Sequence, residues 1–170
     1  MIKNNSQKIA LISMRSDYLS NREERRDSID IAIYTMMNDL GLTPLLIAND
    51  MKSLQNIIRN IDIFNIGLIV FTGGNDLCSL ENNNNSWKIR DEIEDLLFEF
   101  SIENNLPVLG ICRGFQFIVN KIGYELIKVD GHINTIHKNR IVNTNKFLEF
   151  NSFHSWGLKK IKKNKLINPI

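Results

Sequence analysis

The sequence predicts an α/β fold in which helices cover both faces of an open, mostly parallel, doubly wound sheet. Two observations point to it. Strand-like and helix-like segments alternate along most of the chain, and strand-like runs such as "IGLIVF" (66–71) are apolar throughout. A strand without polar alternation is buried on both faces, which is typical of a parallel sheet packed between helices. We therefore expect a flavodoxin-like arrangement, formed as a single domain over residues 1–170.

The elements follow one another in the order strand, helix, strand. The β-branched run at 8–13 is the first predicted strand, and apolar spacing over 27–41 predicts a helix that Asp27 or Ser28 caps and Gly41 ends. The other predicted elements are strands at 43–48, 66–71 and 107–111, helices at 51–61, 87–105 and 113–123, and short strands joined by polar turns over 124–154.

Composition narrows the class of protein. The 170 residues are 43% hydrophobic and 24% charged, and 21 basic and 19 acidic residues leave a net charge of +2. Near-balanced charge without a basic arm predicts no nucleic-acid partner. No apolar stretch approaches the roughly 18 residues that cross a bilayer, so we expect no membrane segment. Two cysteines imply no disulfide framework, and we expect a reducing, cytoplasmic location.

Cys112 lies in "GICRG" (110–114), between a predicted strand and a predicted helix. The pattern G-x-nucleophile-x-G at such a turn is the nucleophile elbow. Free N–H groups and the positive dipole end of the helix favour thiolate over thiol, and the N–H of Arg113 is suitably placed to donate to an oxyanion. We therefore interpret Cys112 as a nucleophile rather than a structural cysteine, and Cys78 as an ordinary loop cysteine.

Gly73 and Gly74 follow another predicted strand, in "TGGND" (72–76). Consecutive glycines let a backbone N–H approach a substrate carbonyl without interference from a Cβ atom, although a simple tight turn is the alternative. The carboxyl ends of parallel strands share the rim of the sheet where ligands bind. We expect "TGGND" and "GICRG" to lie together on that rim.

The order and separation of these motifs resemble the class I glutamine amidotransferase-like superfamily, and most of all the γ-glutamyl hydrolases of the peptidase C26 type. The resemblance extends from about Lys8 to Leu158. It rests on "FTGGNDL", "RDEIE", "LPVLGICRGFQFI" and "NSFHSWGL".

The resemblance implies that Cys112 attacks a γ-glutamyl amide carbon and that the backbone N–H groups of Gly74 and Arg113 form an oxyanion hole. It further implies substrate-binding residues, namely Gly73, Gln116, Asn151, Ser152 and His154. The matching residues of "RDEIE" are implied to brace the site rather than react, and these are Arg90, Asp91 and Glu94.

One part of the family pattern is missing. The family takes its general base from a His-x-Glu motif near the C-terminus, whereas this sequence has no histidine after His154 and no glutamate after Glu149. We therefore expect that the chain lacks the family's C-terminal part. Three explanations stay open: a truncated or frameshifted product, a loss of activity, or a remaining histidine that has taken over the role.

The remaining candidate residues are three histidines and an arginine. His132 and His137 are five residues apart, which does not place two ligands on one face of a strand, so we expect hydrogen-bonding roles, no metal site and no cofactor. His154 is the candidate for a substitute base, besides substrate-lining and structural roles. For Arg15, carboxylate binding is a hypothesis beside plain solvation.

Three functions remain in view. The leading one is hydrolysis of a γ-glutamyl amide bond in a small-molecule substrate through a cysteine thioester that water resolves. The second is a glutaminase subunit that supplies ammonia to a synthetase partner. The third is a non-catalytic remnant or binding module, and we expect the 170-residue chain to be poorly active or inactive. If the chain lacks the family's C-terminal part, apolar strand surface is left exposed, and a homo-oligomer that covers this surface is a further possibility.

Overall fold

The computed structural model describes residues 7–80, 87–141 and 144–159. The chain divides into two compact units, Met1–Phe115 and Gln116–Ile170. The strands of the first unit are β1 (Ile9–Ser13), β2 (Arg15–Leu19), β3 (Glu24–Ser28), β4 (Thr43–Ile47), β5 (Ile66–Phe71) and β6 (Val108–Gly110). Its helices are α1 (Ile31–Asp39), α2 (Met51–Asn60) and α3 (Lys88–Glu103), and α4 (Arg113–Lys121) begins there.

The predicted parallel sheet is confirmed. Its strand order is β4-β1-β5-β6, with every neighbouring pair parallel. Numbering only these strands along the chain gives the order 2-1-3-4, which is the flavodoxin-like order. The chain crosses the sheet in one direction from β1 to β4 and in the other from β4 to β6. Right-handed crossovers therefore place α1 on one face and α2 with α3 on the other.

Alternation along the strands fills these two faces. Ile12 of β1 and Val70 of β5 pack on Met37 of α1, and all three are fully buried. Phe71, the next residue along β5, faces the other side, where its ring centroid lies 6.5 Å from that of Phe98 in α3. Successive residues of a strand point to opposite faces, so a strand between two helical layers must be apolar on both.

The predicted start of the first helix was wrong. Asp27 and Ser28 belong to β3, which pairs antiparallel with β2 over the register Arg15 to Ser28. The helix begins at Ile31 behind Asp30, whose carboxylate accepts a hydrogen bond from the N–H of Ala32 at 2.9 Å. Sequence analysis missed the hairpin because its strands are polar on both sides and give no apolar alternation.

The second unit contains four short strands among its described residues, as expected for 124–154. They are β7 (Leu126–Lys128), β8 (Ile133–Arg140), β9 (Phe147–Phe153) and β10 (Trp156–Leu158). They pair as two antiparallel ribbons, β7 with β10 and β8 with β9. The single domain predicted over 1–170 stays a prediction, and its last stretch, 160–170, lies outside the described residues.

Within the described ranges, no helix combines the length and the apolar character that a bilayer crossing requires.

Candidate active site

Cys112 occupies the turn between β6 and α4 in a conformation that is unusual for a residue with a side chain. Its φ angle is +53°, in the left-handed region, and the residue is exposed. Such conformations cost free energy in non-glycine residues and persist where the surrounding structure enforces them. The predicted strand, sharp turn and helix are therefore present around this cysteine.

The two glycines that flank Cys112 are required by close backbone packing. A Cβ atom at Gly114 would lie 2.0 Å from the carbonyl oxygen of Phe71, and one at Gly110 would lie 2.6 Å from the carbonyl carbon of Gly114. These neighbours are backbone atoms, which cannot move aside as a side chain can. The turn closes onto the end of β5 only because both positions lack a side chain.

The loop at 72–76 lies beside this turn. A Cβ atom at Gly73 would lie 3.4 Å from the Cβ of Cys112. Gly74 has a φ angle of +79°, a conformation that favours glycine. The two glycine-containing motifs therefore meet on the carboxyl rim of the sheet, as the sequence predicted.

A cluster of four charged residues underlies the loop and the turn. Arg90, Glu94 and Arg113 are essentially inaccessible to solvent. Glu94 accepts a hydrogen bond from Nε of Arg90 at 3.0 Å and another from Nη1 of Arg113, which also pairs through Nη2 with Asp91. Ser13, at the end of β1, donates to Glu94 at 2.7 Å. The side chains of "RDEIE" thus brace the rim, as the resemblance implied.

Arg90 also fixes the backbone of the 72–76 loop. Its guanidinium donates to the carbonyl of Thr72 at 2.7 Å, to that of Gly73 at 3.2 Å and to that of Gly74. The C=O and N–H of one trans peptide point in opposite directions. The N–H of Gly74, in the same peptide as the Gly73 carbonyl, therefore points away from the Arg90 guanidinium.

The pKa values in the cluster follow from its burial. Burial lowers the pKa of Arg90 to about 10, against the attraction of Glu94. Burial likewise raises the pKa of Asp91, against the attraction of Arg113. A pKa near 10 leaves Arg90 protonated at neutral pH, so its guanidinium can hold the loop carbonyls there.

The pKa of the Cys112 thiol is raised above its ordinary value of 9.0. Desolvation is the main cause even though the residue as a whole is exposed, and Asp76 adds to it, while the N–H of Arg113 and the charge of Arg90 oppose it. The direction of this shift is opposite to the one expected from the helix end, because the loss of hydration outweighs the hydrogen bond from the helix.

A crevice of about 230 Å³ opens on the same rim. It lies between the residues that follow β1 and those that follow β5, which is where the strand order reverses and where open α/β sheets bind ligands. Its lining residues are Arg15, Ser28, Ile29, Asp30, Ile33, Thr72, Gly73, Gly74 and Ile111.

Four of the predicted substrate residues belong to the second unit. Gln116 is buried, and its Nε2 donates to the carbonyl of Trp156 at 3.0 Å. Nδ1 of His154 lies 2.9 Å from the same carbonyl. A carbonyl oxygen only accepts, so Nδ1 carries a proton, and in the neutral ring Nε2 is then the nitrogen that can accept one. Ser152 is buried and donates to the carbonyl of His132 at 2.8 Å, while Asn151 is exposed on β9.

The three histidines lie together, contrary to the sequence-based expectation for His132 and His137. The ring centroids of these two are 4.2 Å apart, and His154 lies 4.9 Å from His132. The register of β8 shifts between Ile133 and Thr135, which brings His132 to the side of His137. Burial and the two neighbouring rings lower the pKa of His132. Across 7–80, 87–141 and 144–159, no group of three or more histidine, cysteine or acidic residues is arranged to hold a metal ion.

Comparison with protein families agrees with the site. The model of the peptidase C26 family matches residues 9–154. The chain belongs to the peptidase C26 family. The class I glutamine amidotransferase-like assignment made from the motifs is confirmed.

Relatives of this C26 chain extend the comparison. The chain is 32% identical over 96 residues to the γ-glutamyl-CDP-amidate hydrolase of Campylobacter jejuni. The matched stretch is 56% of this chain and 46% of that protein. The chain thus spans about half the length of this curated relative.

Two solved structures share the fold. The first is a glutamine amidotransferase from Thermotoga maritima, with a TM-score of 0.54 and 13% identity over 88% of this chain and 62% of that one. The second is a candidate GMP synthase component from Thermoplasma acidophilum, with a TM-score of 0.54 and 15% identity over 91% of this chain and 69% of that one.

Several residues of this C26 site have no distinctive signal in the sequence. Ser13 and Thr72 link β1 to the loop, since the backbone N–H of Thr72 donates to Oγ of Ser13 at 3.2 Å. Asn75 accepts from the N–H of Ser16 at 3.0 Å, and Asp76 acts on the thiol. Their positions at strand ends were the available signal, but a single serine or asparagine there is too common to be informative.

We expect Glu94→Gln to lower the free energy of unfolding by about 3–5 kcal/mol, because it leaves two buried guanidinium groups with one fewer anion. Glu92→Gln is the matched control on the same helix, since Glu92 forms an exposed pair with Lys88 at 3.5 Å and should cost less than about 0.5 kcal/mol. Urea unfolding measures both. Equal, small losses would contradict a structural role for the cluster.

The rate at which neutral iodoacetamide alkylates Cys112 should rise with pH through an inflection above 9.0, because the folded protein raises the pKa of the thiol. Asp76→Asn should lower that inflection, since it removes a negative charge that disfavours the thiolate. Peptide mass spectrometry separates Cys112 from Cys78. A rate that is already pH-independent between pH 6 and about 8 would show that the thiol is ionised instead.

Proposed function

We propose that this C26 chain carries a hydrolase site for γ-glutamyl amide bonds, with Cys112 as the nucleophile of a nucleophile elbow. The observation that carries the proposal is the exposed cysteine with a φ angle of +53° between β6 and α4. Two further features support it: glycines that cannot be replaced without backbone clashes, and Gly73 beside the cysteine. The match to the C26 family sets the reaction class.

The proposed reaction has two steps. The sulfur of Cys112 adds to the γ-carbonyl carbon, the C–N bond breaks, and the nitrogen leaves with a proton as an amine or ammonia. Water then adds to the carbon of the γ-glutamyl thioester, the C–S bond breaks, and glutamate and the free thiol result. In each step the backbone N–H groups of Gly74 and Arg113 would donate to the oxyanion. The hydrogen bonds of Arg90 to the loop carbonyls support this role of Gly74.

The proton of the thiol limits the rate of the first step. The pKa of Cys112 is raised, and residues 1–115 contain no histidine. A protonated thiol is a weak nucleophile, so we expect slow turnover at neutral pH and faster acylation at a pH above the thiol pKa. A substitute base role for His154 and the substrate contacts of Gln116, Asn151 and Ser152 stay predictions.

A non-catalytic binding module is the second candidate, and it is favoured by the lack of any histidine in residues 1–115 together with the raised pKa of the Cys112 thiol. An ammonia-supplying subunit with a synthetase partner stays a prediction, because the two solved structures share only the fold with this chain, at 13% and 15% identity. We also propose a reducing compartment such as the cytoplasm, since a nucleophilic thiol must stay reduced.

Hydrolysis of γ-glutamyl-p-nitroanilide by the 170-residue chain tests the proposal. Cys112→Ala should lower kcat/KM by at least about a thousandfold, while Cys78→Ala, the other cysteine of the chain, should change it little. Measurement above the thiol pKa removes the need for a base. Undiminished hydrolysis by Cys112→Ala would refute the nucleophile, and no hydrolysis by any variant would favour the binding module.

A further inference from the structure

The crevice on the carboxyl rim of the sheet is lined by a positively charged side chain, that of Arg15, which has no role in the proposed reaction. Arg15 follows β1 and lines the crevice of about 230 Å³ together with Gly73 and Gly74. This volume is below the range of about 300–1,000 Å³ that is typical of pockets for drug-sized ligands. The crevice therefore fits one small group of a substrate.

Arg15 and Cys112 contact adjacent residues of the same loop. The stem of Arg15 lies over Gly74, where a Cβ atom would come within 2.7 Å of Cδ of the arginine. A Cβ atom at Gly73 would lie 3.4 Å from the Cβ of Cys112. Consecutive Cα atoms are about 3.8 Å apart. Arg15 and Cys112 are thus linked through two successive residues of one loop.

The guanidinium of Arg15 is oriented and yet incompletely paired. Its Nε donates to Asp17 at 3.0 Å and to Ser28 at 3.1 Å, and Nη2 lies 3.0 Å from Asp17. Nη1 has no hydrogen-bond partner in the part of the chain that the structure describes. The side chain is half exposed. One edge of the guanidinium is held by the protein, and donors remain for a ligand.

We propose that Arg15 binds an anionic group of the substrate, a carboxylate or a phosphate, in the crevice beside Cys112, and that it thereby determines substrate specificity. This inference rests on the proposed hydrolase function, because it assigns a subsite of the same reaction. The anionic group is either the α-carboxylate of the γ-glutamyl part of the substrate or an anion on the leaving group. A guanidinium edge pairs with the oxygens of either anion.

Asp30 provides a second test of the proposal, because its negative charge should oppose the effect of Arg15 on anion binding. It lines the same crevice, and its Oδ1 caps α1 by accepting from the N–H of Ala32. Its negative charge would weaken the binding of an anion at Arg15 and strengthen the binding of a cation there. Asp30→Asn removes the charge and keeps an oxygen that can cap the helix. Anion binding should therefore improve in Asp30→Asn and decline in Arg15→Ala.

Protection of Cys112 from alkylation tests the subsite without requiring turnover. The full chain is treated with iodoacetamide, which is uncharged, in the presence of L-glutamate, 4-aminobutanoate or inorganic phosphate, and Cys112 modification is followed by peptide mass spectrometry. 4-Aminobutanoate is L-glutamate without the α-carboxylate. We expect L-glutamate or phosphate to protect, with a half-protecting concentration about tenfold higher in Arg15→Ala and about threefold lower in Asp30→Asn.

Matched variants and the choice of probe separate the outcomes. Arg26→Ala is the control, because Arg26 is in the same hairpin, pairs with Glu24 at 2.9 Å and does not line the crevice. Arg15-dependent protection by L-glutamate but not by 4-aminobutanoate assigns the subsite to the α-carboxylate, and Arg15-dependent protection by phosphate without protection by L-glutamate assigns it to the leaving group. Protection that is absent or the same in Arg15→Ala overturns the proposal, as does stronger protection by 4-aminobutanoate. Because occupancy alone is measured, failure of hydrolysis leaves the result readable.

Discussion

The rim of this C26 chain depends on the buried pairing of Arg90, Glu94, Arg113 and Asp91. Moving ionised groups out of water costs several kcal/mol each, and the cost is offset only when every partner is present. Here two guanidinium groups face two carboxylates, and the remaining donors of Arg90 are used by loop carbonyls. The cluster thereby connects α3, the start of α4 and the 72–76 loop.

This constraint explains how an unfavourable backbone conformation persists at Cys112. The left-handed angle at the cysteine costs free energy, and close packing of Gly110 and Gly114 leaves the turn no space to relax. Arg113, the residue after the cysteine, is held by its side chain in the buried cluster while its backbone N–H faces the sulfur. The same residue thus anchors the helix and supplies a donor to the reacting atom.

Much of this arrangement was predictable from the sequence, and the failures have physical causes. Apolar strands such as 66–71 and the spacing of glycines around Cys112 reveal the sheet and the turn, because burial and close backbone approach leave few residue types possible. The β2–β3 hairpin was missed since polar strands show no periodicity. The direction of the thiol pKa shift has no signal in the sequence because desolvation depends on three-dimensional packing, whereas the helix end is visible in the sequence. Register shifts such as that in β8, which bring the histidines together, have no signal in a single sequence.

The most direct test of the central claim is to look for the acyl group itself. The chain is mixed with γ-glutamyl-p-nitroanilide above the pKa of the thiol, quenched in acid within one turnover, and analysed by peptide mass spectrometry. We expect one glutamyl group on the peptide that contains Cys112, in an amount equal to the initial release of nitroaniline. Release of nitroaniline without an adduct, or an adduct on Cys78 instead, would contradict a nucleophilic role for Cys112.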